Sequence, residues 1–288
     1  MDKKEAARAI DELLSGPHRP TYEDEQVKLF AGDSTWVLPD TIEDKSVDLI
    51  LCDLPYGEAT GKTRAYWDTK YLNYDDTFKE YRRIIKPNGV IVLHGNEPFS
   101  SMVRMKLADI YKYDIKWIKT KTTGFANANY RPMNKYEDIM VFSYANASSG
   151  GKRNPMTYNP QGLVPYGKTK KNSARRHGLV MDVTNNTGKN NSLLQEGTEY
   201  VQKFTNYPSN VVHFANPKKY LHPTQKPVEL LEYLIKTYSN EGDVVLDNCM
   251  GSGSTGVACK NTGRKFIGIE IFRPYYDIAE RRIRNDDK

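Results

Sequence analysis

The stretch Cys52-Asp-Leu-Pro-Tyr-Gly-Glu-Ala-Thr-Gly-Lys-Thr63 sets two chemistries in competition. Its second half ends in Gly-Lys-Thr, as a phosphate-binding loop does. Such a loop needs four residues between its first glycine and Gly-Lys-Thr, so that backbone N–H groups can wrap a phosphate ahead of a helix. Here Gly57 and Gly61 enclose only Glu58, Ala59 and Thr60, and a carboxylate has the wrong sign for an anion site. The following Arg64-Ala-Tyr-Trp-Asp68 also lacks the apolar period of a helix that would supply a dipole. The first half is Asp53-Leu54-Pro55-Tyr56, directly after the apolar run Val47–Cys52. An acid and backbone carbonyls beside an aromatic ring suit a flat base. The ring stacks on the base while the oxygens accept hydrogen bonds from its exocyclic amine. A plain turn with a half-buried tyrosine would use the same residues.

Two further stretches carry chemistry. In Asp247-Asn-Cys-Met-Gly-Ser-Gly-Ser-Thr-Gly256, residues Gly251, Gly253 and Gly256 satisfy G-x-G-x-x-G after the apolar run Val244–Leu246, and Glu270 ends the next apolar run. This is a tight turn that a ligand can approach closely, with an acid placed for a ribose hydroxyl pair. NAD, FAD and S-adenosylmethionine sites share that logic. Asp247 adds a second acid near the strand end, which suits a cationic sulfonium and amine better than a pyrophosphate. In Leu221-His-Pro-Thr-Gln-Lys-Pro227, the prolines stiffen a helix entrance, and Thr224 and Lys226 offer donors to an anionic group such as a carboxylate. An ordinary helix cap would read the same way.

These residues need a scaffold, and the apolar periods describe one. Strands are predicted at Val47–Cys52, Val90–Leu93, Tyr113–Ile118, Glu137–Phe142, Asp243–Leu246 and Lys265–Ile271. Helices are predicted from Tyr74 to Lys86, from Pro98, from Val228 and from Pro274, with Pro87-Asn88-Gly89 as a breaker. Alternating strands and helices predict an α/β fold of the Rossmann-like type, a mostly parallel sheet flanked by helices. The chain then divides into an N-terminal helical extension (1–26), a first half of the domain (27–144), a basic insertion (145–220) and a cofactor half (221–288). The insertion carries eight Lys and three Arg against three acids, whereas the rest of the 288-residue, +6 chain is near neutral. A cationic segment on a near-neutral body points to a polyanionic partner. Cys52, Cys249 and Cys259 form no metal or disulfide pattern, and the charged start MDKKEAARAIDELLSG lacks the apolar core of a secretory signal. A cytoplasmic protein without metal or membrane span is therefore expected.

Taken together, the motifs resemble those of the D-P-P-Y DNA amino-methyltransferases, and their order, catalytic motif first and glycine motif last, is that of the beta class. Lys86-Pro-Asn-Gly89 and Lys119–Ala128 resemble the phage- and prophage-type members. The resemblance spans roughly residues 28–283. It implies S-adenosylmethionine as cofactor and duplex DNA as partner, with Asp53, Leu54, Pro55 and Tyr56 as the catalytic loop. It implies a cofactor site of Asp33, Ser34, Cys52, Asp53, Asp247, Gly251, Ser252, Gly253, Ser254 and Glu270, with Glu270 on the ribose. His222, Thr224 and Lys226 would hold the methionine end. The insertion would be the target-recognition region, with Lys168, Lys170, Lys171, Arg175 and Arg176 on phosphates. Leu54 departs from the family's first proline, but a backbone carbonyl is all that the chemistry asks of that position. The expected reaction is methylation of the adenine N6 amine in a flipped-out base. Methylation of the cytosine N4 amine follows the same hydrogen-bond logic, although Asp rather than Ser at position 53 leans to adenine. A nicotinamide oxidoreductase would leave Asp53–Tyr56 and the basic insertion without roles, and a catalytically dead DNA-binding protein would not need the cofactor motifs. The recognition sequence, a homodimer and a cognate nuclease stay open.

Overall fold

The computed structural model describes residues 19–57, 72–148, 154–171 and 199–285. Arg175, Arg176 and most of the expected N-terminal extension lie outside the described residues. The strands are β1 (Tyr22–Glu23), β2 (Val27–Ala31), β3 (Val47–Cys52), β4 (Ile85–Gly95), β5 (Tyr111–Thr123), β6 (Asn134–Phe142), β7 (Val164–Lys171), β8 (Glu199–Thr205), β9 (Val211–Phe214), β10 (Val244–Asp247) and β11 (Lys265–Glu270). The helices are α1 (Ser34–Thr41), α2 (Tyr74–Ile84), α3 (Phe99–Lys106), α4 (Val228–Tyr238), α5 (Ser254–Asn261) and α6 (Arg273–Arg284).

Nine strands form one sheet in the order β1-β2-β11-β10-β3-β4-β6-β5-β9. The run β2-β11-β10-β3-β4 is parallel, while β6 is antiparallel to both of its neighbours. Period-two alternation divides the buried side chains between two layers. Leu49, Leu51, Val90 and Val92 face one side with Leu230, Leu234, Ala258 and Tyr276 of α4, α5 and α6. Ile50, Ile91 and Leu93 face the other with Val37, Phe78, Tyr81 and Phe99 of α1, α2 and α3. From β3 the chain moves outward to β4, and from β10 outward to β11 on the opposite side. The switch point therefore lies between β3 and β10, and their C-terminal ends open a crevice there. No helix among the described residues is long and apolar enough to cross a membrane.

Three local expectations are adjusted. α2 ends at Ile84, and β4 begins at Ile85 rather than after the Pro87-Asn88-Gly89 breaker. The pairing shifts register between Val47↔Ile85 and Leu49↔Val90, so the breaker sits in an irregularity of the strand where Pro87 need not donate to a regular ladder. Tyr22 and Glu23, inside the expected helical extension, form β1 and pair with β2. The second compact unit spans Pro160–Ser209 and is narrower than 145–220. The flanks belong to the first unit. Asn159 donates its backbone N–H to the Thr237 carbonyl (2.7 Å), and β9 pairs with β5. Within the second unit, β7 and β8 form an antiparallel ribbon in which Lys168 and Lys170 lie over the Tyr166 ring, with Nζ at 5.2 and 5.4 Å from its centre.

Candidate active site

The crevice is a cavity lined by residues from all three motifs. Asp53, Leu54, Pro55 and Tyr56 follow β3; Asp247, Gly251, Ser252 and Ser254 follow β10; His222, Thr224 and Lys226 precede α4; Asp33 and Ser34 begin α1; Cys52 and Glu270 end their strands. Among the sequence-derived candidates within the first unit, Gly253 does not line the cavity.

The catalytic loop is held from several sides. Tyr56 stacks on Phe99 at 4.6 Å between ring centres and 22° between planes. Its hydroxyl donates to Asp53 Oδ1 at 3.2 Å. Burial, reinforced by the nearby Asp53 and Glu137 charges, pushes the Tyr56 hydroxyl well above its ordinary pKa, so it remains a proton donor. The Pro55 carbonyl accepts from the Tyr74 hydroxyl at 2.6 Å. One lone pair of Pro55 is thereby engaged, which favours the Leu54 carbonyl as the second acceptor for a bound amine.

Beneath Asp53 lies a charge network that the motifs did not announce. Lys226 Nζ donates to Asp53 Oδ2 and lies 3.1 Å from Glu137 Oε1. Lys119 Nζ is 2.6 Å from Glu137 Oε2, and His94 Nδ1 is 3.5 Å from Oε1. Burial opposes charge on Lys226, but Asp53 and Glu137 outweigh it and hold the ammonium above its ordinary pKa. Burial likewise opposes the Glu137 carboxylate, yet Lys226, His94 and Lys119 carry it well below the usual range. Glu137 and His94 escaped the sequence reading because a lone Glu or His on an apolar strand gives no local signal. Only the placement of β6 beside β4, with His94 opposite Ile139, brings them under Asp53. Lys226, expected to meet a ligand carboxylate, is instead engaged by two protein carboxylates.

The glycine turn is shaped from both sides. Gly251 and Gly253 have φ of +52° and +77°, the region that favours glycine. A Cβ on Gly251 would stand 3.5 Å from the His222 ring. A Cβ on Gly253 would come within 2.8 Å of Ala279 Cβ and 3.1 Å of Ile283, both on α6. Gly253 thus serves helix packing, not the close ligand approach read from the sequence. Gly253→Val is accordingly expected to cost roughly 2–4 kcal/mol, from left-handed strain plus overpacking, and to lower the melting temperature. An unchanged thermal melt would refute that packing role. Arg282 of α6 donates to the Ser252 carbonyl and to the Ser252 hydroxyl at 3.0 Å, fixing the turn from behind.

The acids around the turn are buried. Asp247 accepts from Cys249 N–H (3.1 Å) and the Thr255 hydroxyl (2.6 Å), and burial raises its pKa. Glu270 accepts from the N–H groups of Gly251 and Phe272, each at 2.8 Å. Burial pushes Glu270 up to about 7 despite those bonds. Its folded pKa lies above the unfolded value of 4.5, so its contribution is fully present below pH 4.5 and lost as pH rises through about 7. The ligand-free protein should therefore lose on the order of 3 kcal/mol of stability from this group between those limits. Chemical denaturation across the range should show the slope flattened in Glu270→Gln. His222 is moved the other way, to about 4, chiefly by burial, so it is neutral at pH 7. Its Nδ1 lies 3.1 Å from the Thr224 hydroxyl, and its ring meets Tyr275 edge-on at 4.2 Å. Asp33 caps α1 by accepting from Thr35 N–H at 2.8 Å. Ser34 accepts from buried Asn248 at 3.3 Å.

This donor set suits a cation. Asp33, Asp53, Asp247 and Glu270 line the cavity, and the Lys226 charge is already matched by carboxylates. A sulfonium carrying an ammonium and a ribose fits that chemistry, whereas a pyrophosphate does not.

Several known proteins are similar to this chain. Residues 47–281 match the family described as DNA methylase. The chain is 31% identical over 252 residues to the type II methyltransferase M.HpaI of Haemophilus parainfluenzae, covering 84% of this chain and 69% of that protein. It is 30% identical to the type II methyltransferase M.HinfI of Haemophilus influenzae, covering 85% and 65% of the two chains. Among solved structures, the M1.HpyAVI–SAM complex superposes with a TM-score of 0.57 at 24% identity, covering 89% of this chain and 99% of the other. The cytosine-N4-specific PvuII DNA methyltransferase superposes with 0.64 at 16%, covering 92% and 89%. At those identities the structural likeness concerns the fold.

Proposed function

The chain belongs to the DNA methylase family, and on that premise we propose that it methylates the exocyclic N6 amine of adenine in duplex DNA, with S-adenosylmethionine as methyl donor. The observation that carries this reading is the meeting of Asp53-Leu54-Pro55-Tyr56 and the glycine turn in one acid-lined cavity. When bound, the cofactor supplies an electrophilic methyl on a sulfonium. Gly251, Ser252 and Ser254 would line its site, Glu270 would accept from its ribose, and Thr224 with neutral His222 would meet its methionine end.

The chain's own task is to prepare the amine. That nitrogen is a poor nucleophile because its lone pair is delocalised into the ring. Asp53 and the Leu54 carbonyl accept its two N–H bonds, which favours a tetrahedral nitrogen with the lone pair aimed across the cavity. Positioning and fixed charge supply the rate. Lys226 and the Tyr56 hydroxyl orient Asp53 beforehand. Tyr56, itself backed by Phe99, offers a stacking surface to a base extruded from the duplex at a cost of a few kcal/mol.

Long-read sequencing of plasmid from cells expressing the chain reports both the modified base and its motif. N6-methyladenine at a defined motif is expected; N4-methylcytosine would reassign the base, and no modification would sink the activity. Lys168, Lys170 and Lys171 are expected to meet phosphates. Neutralising them should weaken DNA binding and flatten its salt dependence, by up to about 0.9 log units for each phosphate no longer neutralised. Calorimetric affinity for S-adenosylmethionine should be unchanged. An unaltered salt slope would leave the ribbon as solvated surface.

A further inference from the structure

The β5–β6 hairpin runs past the active site. β4 ends at Gly95 opposite Asp138, whereas β5 and β6 continue and, after a register shift between Ile118 and Thr123, pair again at Thr123 and Asn134. Glu137, linked through Lys226 to Asp53, is three residues from Asn134 on β6, about 10 Å at ~3.3 Å per strand residue. The hairpin tip, residues 124–133, therefore extends beyond the sheet edge that carries Asp53.

The tip is built rather than slack. Thr120 Oγ1 and Lys121 N–H both donate to Asn216 Oδ1, at 3.0 and 3.2 Å, and Lys135 Nζ donates to the Thr120 carbonyl at 3.0 Å. A 3-10 turn at Phe125–Asn127 continues into Tyr130 N–H and Arg131 N–H donating to the Asn127 carbonyl, at 2.9 and 3.1 Å. On this shaped knuckle Phe125 is 81% and Tyr130 88% exposed. The stretch from Thr120 to Lys135 holds three cations, Lys121, Arg131 and Lys135, and no acid. A two-fold contact with another copy would bring those like charges together. Flat rings among cations and amides match a nucleic acid, where rings stack on bases and cations meet phosphates.

We propose that this tip enters the DNA duplex at the position the target base leaves, stacking Phe125 or Tyr130 on the flanking base pairs. The proposal rests on the base-flipping reading above and adds the element that keeps the opened stack filled. A ring inserted there replaces stacking lost with the extruded base, which favours the open state.

The test cross-links the full chain to plasmid DNA in which thymine is replaced by 5-iodouracil, followed by mass spectrometry of the peptides. A DNA adduct at Phe125 or Tyr130 is expected. Adducts only elsewhere in the chain, or none, would overturn the proposal. In parallel, Phe125→Ala/Tyr130→Ala should lower labelled-methyl incorporation into plasmid by about tenfold or more, the rate equivalent of one stacked base. Its melting temperature and its calorimetric affinity for S-adenosylmethionine should not change. An unchanged rate overturns the wedge. So does a change of oligomeric state in the variant without an adduct at the tip, which would assign the rings to a second copy of the chain. Cross-linking needs no methyl transfer, so an adduct at the tip in a chain that methylates nothing would refute the reaction and keep the DNA-entering tip.

Discussion

Asp53→Ala should lower methyl transfer to duplex DNA by about 10²–10³-fold, the usual effect of removing one preorganised polar partner of a transition state. The alanine removes the acceptor for the target amine and leaves β3, the glycine turn and the cavity walls in place. Lys226 keeps Glu137 at 3.1 Å and shares it with Lys119 at 2.6 Å, so the fold should survive with some loss of stability from the one carboxylate removed. DNA binding through the basic ribbon should persist. Tyr56→Ala should also be damaging, because it removes a stacking surface and exposes Phe99. Tyr56→Phe keeps the ring and loses the hydroxyl with its 3.2 Å hydrogen bond to Asp53, so its effect should be much smaller. Labelled-methyl incorporation measured beside gel-shift binding separates these outcomes. Substantial turnover by Asp53→Ala would show that the Asp53–Tyr56 loop is not where the amine is prepared.

Lys226→Met is expected to be the most destabilising single change in the site. Lys226 is 8% exposed and sits between two carboxylates, and removing one member of a buried pair typically costs about 3–5 kcal/mol. The lower end applies here, because Lys119 still neutralises Glu137 and Asp53 is partly exposed. For a chain of this size that is a drop in melting temperature on the order of 10 °C. The double variant Lys226→Met/Asp53→Asn should recover part of the loss, since the carboxylate left without its cation is gone. The pH dependence has a definite sign. Glu137 is depressed in the folded protein, so its contribution is present above its unfolded value of 4.5 and lost as pH falls below it. Lys226→Met should therefore show a shallower loss of stability on acidification than the parent. A variant as stable as the parent, or a double variant no better than the single, would refute the network as a structural clamp.

What the sequence determined by itself were features written in short windows. The run Val47–Cys52 is a strand with the boundaries read from its apolar pattern, and the stripe Phe78, Tyr81, Ile84 faces the core of α2 as its spacing required. Three motifs in a particular order pointed to the family, because each is a local arrangement of turn, acid and ring that survives without knowledge of its neighbours. The tertiary structure decided everything that depends on which strand lies beside which. Asp53 and Asp247 share a crevice only because β3 pairs with β10 at the point where the strand order reverses. Glu137 reaches Lys226 only because β6 turns antiparallel beside β4, and a buried acid on an apolar strand carries no period that would reveal its partner. The roles of Lys226 and Gly253 changed for the same reason. A lysine in a proline-framed loop looks like a ligand donor until two carboxylates from distant strands are packed against it. A glycine in a ligand turn looks like an opening for the ligand until α6 places Ala279 where its side chain would go. Local sequence sets which groups are available, whereas burial and pairing across the sheet determine which charge each of them meets.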